Sequence, residues 1–192
     1  MRIMLNAKAL KLITKKAIMQ KFLINAVIAI LFFISTSFHS TTASENDFNI
    51  VIVKHTYELK IYDASNNLLV TYPVVFGNDD LGDKMEQGDR KTPEGVFHIV
   101  SKYPHEKWRK FMLLDYPNAD SYKKFKERKA EGLIPKNAEI GGDIGIHGTW
   151  PNEDFAVDDY QNWTQGCIST KNIYIDKIYQ YIPVGTQVTI EY

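Results

Sequence analysis

The sequence predicts a mainly β, α+β domain: a β-sandwich or curved mixed sheet with a few helices packed at one side. Three observations carry this. Short runs of β-branched and aromatic residues recur through the chain after residue 48, one of them in strict period-two alternation. Turn signals rich in Gly, Pro and Asn punctuate those runs. Helical composition is confined to two segments, too few for a parallel βαβ layout.

Taken in order, Phe48 to Lys54 is β-branched and opens the domain. Tyr57, Leu59 and Ile61 alternate with Glu58, Lys60 and Tyr62, so one face of that strand is apolar. Asn66-Asn67 marks a turn, and Leu68 to Phe76 is the returning strand. Gly77 to Arg90 is polar, contains three glycines and is expected to be a loop. Thr92-Pro93-Glu94-Gly95 is a tight turn, with proline presetting φ and glycine free to take φ > 0. It feeds a strand over Val96 to Ser101, and another follows at Lys110 to Asp115. Between Asn118 and Gly132 the composition shifts to Lys, Glu and Ala, the mark of a surface helix. Ile144-Gly145-Ile146 is a short strand delivering His147, and Gly148 to Gln165 is a loop with two tryptophans. Thr170 is expected to N-cap a helix running to Ile182, with Ile175, Ile178 and Ile182 on one face. Gln187 to Glu191 closes the domain as a strand.

Residues 1–44 have the layout of an export signal. Arg2, Lys8, Lys11, Lys15, Lys16 and Lys21 precede an apolar run from Phe22 to Ile34, and Thr42-Ala43-Ser44 offers small residues to a peptidase. The run is shorter than the roughly 20 residues a spanning helix needs. The alternative is an uncleaved anchor, since Ser35 to Phe38 would extend the run. Either way the protein is expected to be exported, to the periplasm or cell envelope, with a single domain over residues 45–192. The full chain carries 23 basic and 23 acidic groups. All six leader bases fall before residue 45 and no acid does, so the domain is net acidic at −6. That excludes the basic excess of a nucleic-acid binder.

Cys167 is the only cysteine. In an exported protein it has no internal disulfide partner, so it is either an inert buried residue or a nucleophile. A thiol attacks carbonyls as thiolate, and a free thiol near pKa 8.5 supplies little of it without help. His147, following a strand and opening a loop, is placed to act as base. Gly166 keeps the backbone at Cys167 approachable, and consecutive N–H groups there would form an oxyanion hole. A helix starting at Thr170 would add a favourable dipole.

The order His147-Gly148, variable loop, Thr164-Gln165-Gly166-Cys167 resembles the L,D-transpeptidase catalytic domain family, also called YkuD or ErfK. Thr92-Pro93-Glu94-Gly95-Val96-Phe97 resembles the family's turn before a central strand, and Asn172 matches a recurrent asparagine. The runs Gly88 to Pro93, Tyr116-Pro117-Asn118, Gly141 to Gly148 and Trp163 to Ile168 look closest to the YafK-like branch. The likeness covers Ile50 to the C-terminus. It implies that Cys167 attacks the carbonyl of an L-centre to D-centre bond in a peptidoglycan stem peptide. His147 would move the proton. The Gly148 carbonyl would orient the imidazole, and the N–H groups of Gly166 and Cys167 would hold the oxyanion. No metal and no cofactor is implied. Carbapenem-type inhibitors and, for the YafK-like branch, a wall-anchored lipoprotein are implied partners.

Two positions depart from the family pattern. Gln165 stands where most members have histidine, which leaves His147 as the base. Ser169 stands where many have an arginine that holds a substrate carboxylate. Arg90, Lys91 and Lys171 are candidate replacements, or ordinary surface charges. Thr164, Gln165, Ser169, Trp163, Trp150 and Tyr116 are further candidates for substrate contact; the tryptophans form either a sugar or peptide platform or simple loop packing. Three functional readings follow: transfer of the acyl group to an amine, the same site used hydrolytically, or a non-catalytic wall-binding module.

Overall fold

In the computed structural model the chain is described over residues 48–192. The leader read at 1–44 lies outside the described residues. The described residues form eight strands: β1 (Asn49–Val53), β2 (Glu58–Tyr62), β3 (Leu68–Pro73), β4 (Gly95–His105), β5 (Arg109–Leu114), β6 (Gly145–His147), β7 (Ile168–Ser169) and β8 (Gln187–Glu191). Among the described residues there are three helices, α1 (Ala119–Ala130), α2 (Phe155–Asp158) and α3 (Asn172–Tyr181). Mostly β with few helices is the class the sequence predicts.

The strands form one mixed sheet in the order β3-β2-β1-β8-β4-β5-β6-β7. Only β1–β8 and β6–β7 are parallel pairs. β4 serves two neighbours: Gly95–His98 pairs with β8, and the rest with β5, with a register shift between Ile99 and Ser101 where the strand changes partner. Just past β3, Val75 exchanges both backbone hydrogen bonds with Ser169 of β7, at 2.8 and 2.9 Å. The two ends of the strand order are therefore tied together, which curls the sheet and closes it beside Cys167.

Period-two alternation puts Ile50, Ile52, Leu59 and Ile61 on the inner face, where they meet Ile146 and Ile168 from the short strands. α3 covers this core with Ile175 and Ile178. Full burial of such a side chain contributes about 2 kcal/mol. α1 buries none of its residues. It starts on the Asn118 side chain, which accepts from the Ser121 N–H at 3.0 Å, and its Lys124 and Arg128 pair with Asp83.

Three local expectations are corrected. Thr170 does not cap α3: its hydroxyl donates to the Pro73 carbonyl at 2.7 Å, and the helix begins two residues later. The cap comes from far away, with Asp154 Oδ1 accepting the Asn172 N–H at 2.9 Å. The segment read as one loop from Gly148 to Gln165 contains α2, a single turn too short to show periodicity. β4 runs on to His105 rather than stopping at Ser101.

The polar loop before β4 is held by carboxylates. Asp89 accepts from Lys84 Nζ at 2.7 Å and from the N–H groups of Met85, Glu86 and Lys91. Burial alone would raise Asp83 and Asp89. The Glu94 N–H, Arg128 and Lys124 hold Asp83 below the usual carboxylate range, and Lys84 with the three amides does the same for Asp89. A depressed folded-state pKa contributes stability above the unfolded value, near 4, that is lost as pH falls through the folded one. Thermal melting against pH is therefore expected to fall steeply below about pH 4. Asp89→Asn is expected to flatten that acid dependence while lowering the melting temperature at neutral pH; an unchanged acid slope would refute the assignment.

Candidate active site

β6 and β7 are parallel neighbours with Ile146 opposite Ile168 and His147 opposite Ser169. Those two isoleucines are fully buried in the core. By strand parity, His147, Ser169 and, one step before β7, Cys167 face the other way. Two short strands thus bring a histidine and a cysteine twenty residues apart in sequence to one face of the sheet. Both line a cavity of about 630 Å³, together with Tyr103, His105, Trp108, Phe111, Trp150, Trp163 and Gln165.

His147 is 1% exposed, and its Nδ1 donates to the Gly148 carbonyl at 2.7 Å. Nδ1 carries the proton in that arrangement, so Nε2 is the nitrogen free to accept one. The same carbonyl accepts from the Ser169 hydroxyl at 3.2 Å. Trp108 and Phe111 stack on the imidazole at centroid distances of 4.7 and 5.6 Å, and Trp163 meets it edge-on at 5.5 Å. Burial pushes the imidazole down to about 4, against the Gly148 hydrogen bond, with His105 adding to the depression.

Cys167 is half-buried, and its Sγ donates to the Asp143 carbonyl at 3.4 Å. Burial pushes the thiol up to about 11; the Gly145 N–H opposes this and the Asp143 carboxylate reinforces it. At neutral pH both groups are therefore uncharged. The helix start expected at Thr170 lies at Asn172, with β7 between it and Cys167.

The turn before Cys167 is rigid. Thr164 Oγ1 donates to the Cys167 carbonyl at 2.8 Å and accepts the Gly166 N–H at 3.1 Å. Gly166 has φ +119, and a Cβ there would lie 2.7 Å from the Lys91 carbonyl oxygen, so only glycine fits. The Gly88–Pro93 segment braces this turn: the Thr92 hydroxyl donates to the Gly166 carbonyl at 2.9 Å and Arg90 Nε to the Thr164 carbonyl at 3.2 Å. One expectation changes here. The Gly166 amide, expected to hold an oxyanion, donates to Thr164 Oγ1 in this arrangement.

The remaining candidates divide. Trp150, Trp163, Thr164 and Gln165 line the cavity with Cys167 and His147. Ser169 does not: it is fully buried behind Gly148 and serves its carbonyl. Tyr116 is a core residue, packed on Phe97 at 6.0 Å with its hydroxyl on the Ile140 carbonyl. Arg90 is turned to Thr164, Lys91 pairs with Asp80 at 2.6 Å, and Lys171 pairs with Asp158. None of these three cations lines the cavity. Sequence reading missed the aromatic wall from the β4–β5 hairpin, Tyr103, His105, Trp108 and Phe111. Its one local signal is that Tyr103 and His105, like Phe111 and Leu113, sit two apart on a strand. Among the described residues, no group of three His, Cys, Asp or Glu side chains is arranged to hold a metal.

A family model for the YkuD L,D-transpeptidase catalytic domain matches residues 47–190. The chain belongs to this family. Solved structures agree on the fold. Bd1075 of Bdellovibrio bacteriovorus is 21% identical with a TM-score of 0.55, covering 79% of this chain and 50% of its own. The helical cell shape determining protein Pgp2 of Campylobacter jejuni is 24% identical with a TM-score of 0.54, covering 76% and 48%. An L,D-transpeptidase of Stackebrandtia nassauensis is 12% identical with a TM-score of 0.50, covering 82% and 61%. This L,D-transpeptidase-family chain thus spans about half the length of Bd1075 and Pgp2. No curated protein sequence matches it.

Proposed function

We propose that this protein is an exported, peptidoglycan-modifying acyltransferase that forms a thioester between Cys167 and a stem-peptide donor and passes the acyl group to an amine. The observation that supports this best is the shared cavity: Cys167 and a neutral His147, its Nδ1 fixed on Gly148 and its Nε2 free, open onto one space. In the first step the Cys167 proton moves to His147 Nε2 as sulfur adds to the carbonyl carbon. The oxyanion that forms is met by the Cys167 N–H. Collapse breaks the C–N bond, and the leaving amine takes the proton from Nε2. An acceptor amine then adds to the thioester, giving its proton to Nε2, and collapse returns that proton to Sγ. Water in place of the amine gives hydrolysis by the same route. The aromatic wall suits the acyl donor, and the basic, apolar leader at residues 1–44 is what motivates a periplasmic or envelope location.

The test is to incubate the purified chain with defined muropeptides, with and without a D-amino acid or a lipoprotein tail peptide, and to analyse products by mass spectrometry. Exchanged or cross-linked products support transfer. Shortened stems or a freed tail peptide would replace it with a hydrolase, and no turnover would leave only a binding module.

Family membership also motivates a covalent inhibitor. A carbapenem is expected to add its full mass to the chain, at Cys167, in intact-mass and peptide spectra. An unchanged mass under conditions that support turnover would exclude this.

A further inference from the structure

We propose that Trp108, at the tip of the β4–β5 hairpin, is the positioning residue for His147, fixing the plane of the imidazole and keeping water from it. Trp108 touches both parts of the base unit. Its indole stacks on the His147 ring at 4.7 Å and 23°, and its carbonyl accepts the Gly148 N–H at 3.0 Å. Gly148 is the residue whose own carbonyl holds His147 Nδ1. Phe111 also stacks on the imidazole and is the strand partner of His147 across β5–β6, and Trp163 meets the ring edge-on, but neither bonds to Gly148.

The tip is itself held in place by His105 and Arg109. His105 stacks on Trp108 at 4.4 Å and 5°. Its Nδ1 accepts the N–H groups of Lys107 and Trp108, both at 3.2 Å, so that nitrogen is unprotonated and the turn is tied to the ring. Arg109 reaches α3 through Asp176 at 2.6 Å. Trp108 Nε1 is buried with no hydrogen-bond partner, a cost of about 1–3 kcal/mol that a phenyl ring would avoid.

The groups around the imidazole leave desolvation in control of its proton affinity. From the hairpin come Tyr103 and His105, from the segment leading into β6 comes Asp143, and from the β7 side come Cys167 and Ser169. None makes a hydrogen bond to the His147 ring; its one partner is the Gly148 carbonyl. The depressed basicity of His147 fits a ring shielded by the hairpin.

The experiment follows His147 by NMR through a pH titration of the isotope-labelled full chain, as wild type, Trp108→Ala and Trp108→Phe. pH profiles of kcat/KM are measured beside it. Loss of the indole is expected to admit water, so the His147 midpoint rises by about 1 pH unit or more. The acid limb of kcat/KM should move the same way, because the base must be neutral to act, and phenylalanine should restore most of both shifts. An unchanged His147 midpoint with a loss confined to KM would overturn the proposal and make Trp108 a substrate contact. So would a phenylalanine variant as shifted as alanine. If the alanine variant does not fold, Trp108→Leu takes its place under the same criteria. The kinetic arm rests on the proposed acyl transfer: absent turnover in wild type counts against that reading, while the titration still decides the role of Trp108.

Discussion

Replacing Cys167 with alanine is expected to bring muropeptide turnover to background, a loss of about a thousandfold or more, and His147→Ala to cost a similar factor in kcat. The two variants should differ in what remains. Without Cys167 there is no thioester and no covalent adduct. Without His147 the thiol persists, but with its pKa near 11 only about one molecule in ten thousand is thiolate at pH 7. Adduct formation in His147→Ala should therefore be slow and should rise about tenfold per pH unit between pH 7 and 9. Wild type should be nearly flat over that range, since a base depressed to about 4 and a thiol raised to about 11 stay neutral throughout it. The double variant should be no worse than Cys167→Ala alone, because the two residues act as one unit. Stopped-flow or mass-resolved acylation rates decide the matter. Near-normal turnover in either single variant, or a flat pH dependence in His147→Ala, would sink the mechanism.

What sequence reading sees and misses here follows from range. Ile50, Ile52, Leu59 and Ile61 announce their strands because a strand's alternation is written in neighbouring residues, and they are inner-face residues in the structure. His147 and Cys167 were visible as an ordered pair because His147 follows a short strand signal and Cys167, the only cysteine, ends a motif whose order resembles the family's, whereas the two-residue strand after Cys167 was too short to see. The supports of that pair were not visible, because each is a contact across many residues. Asp154 caps a helix that begins at Asn172. Thr92 holds the Gly166 carbonyl 74 positions away. Trp108 stacks on His147 from a hairpin whose turn looks merely polar in sequence. Ser169 shows the opposite error. A hydroxyl in place of a recurrent arginine invited a role toward substrate, while burial gives it one toward the Gly148 carbonyl. Tyr116 was misplaced for the same reason: only the fold tells whether an aromatic beside a proline faces a cleft or Phe97.

Gly148→Ala is the second change expected to have a large effect, and it tests the support of the base without touching a reacting atom. A Cβ at Gly148 would lie 2.4 Å from Asn172 Oδ1, and 3.0 Å from both Ile175 Cγ2 and the Trp108 carbonyl oxygen. Asn172 cannot swing aside freely, because its Nδ2 donates to Thr149 Oγ1 at 2.9 Å and its Oδ1 is already buried without a partner. The backbone must then shift, and with it the carbonyl that receives both His147 Nδ1 and Ser169 Oγ. Overpacking of this kind costs about 1–3 kcal/mol of stability. Displacing the imidazole by a fraction of an ångström is expected to lower kcat by about 10- to 100-fold, with KM little changed. The two losses have one cause, so relieving the clash should recover both: in Gly148→Ala with Asn172→Gly, melting temperature and kcat should be higher than the sum of the single effects allows. A wild-type melting temperature and kcat in Gly148→Ala would mean that the Gly148 peptide is free to move, and that the orientation of His147 rests on its stacked rings alone.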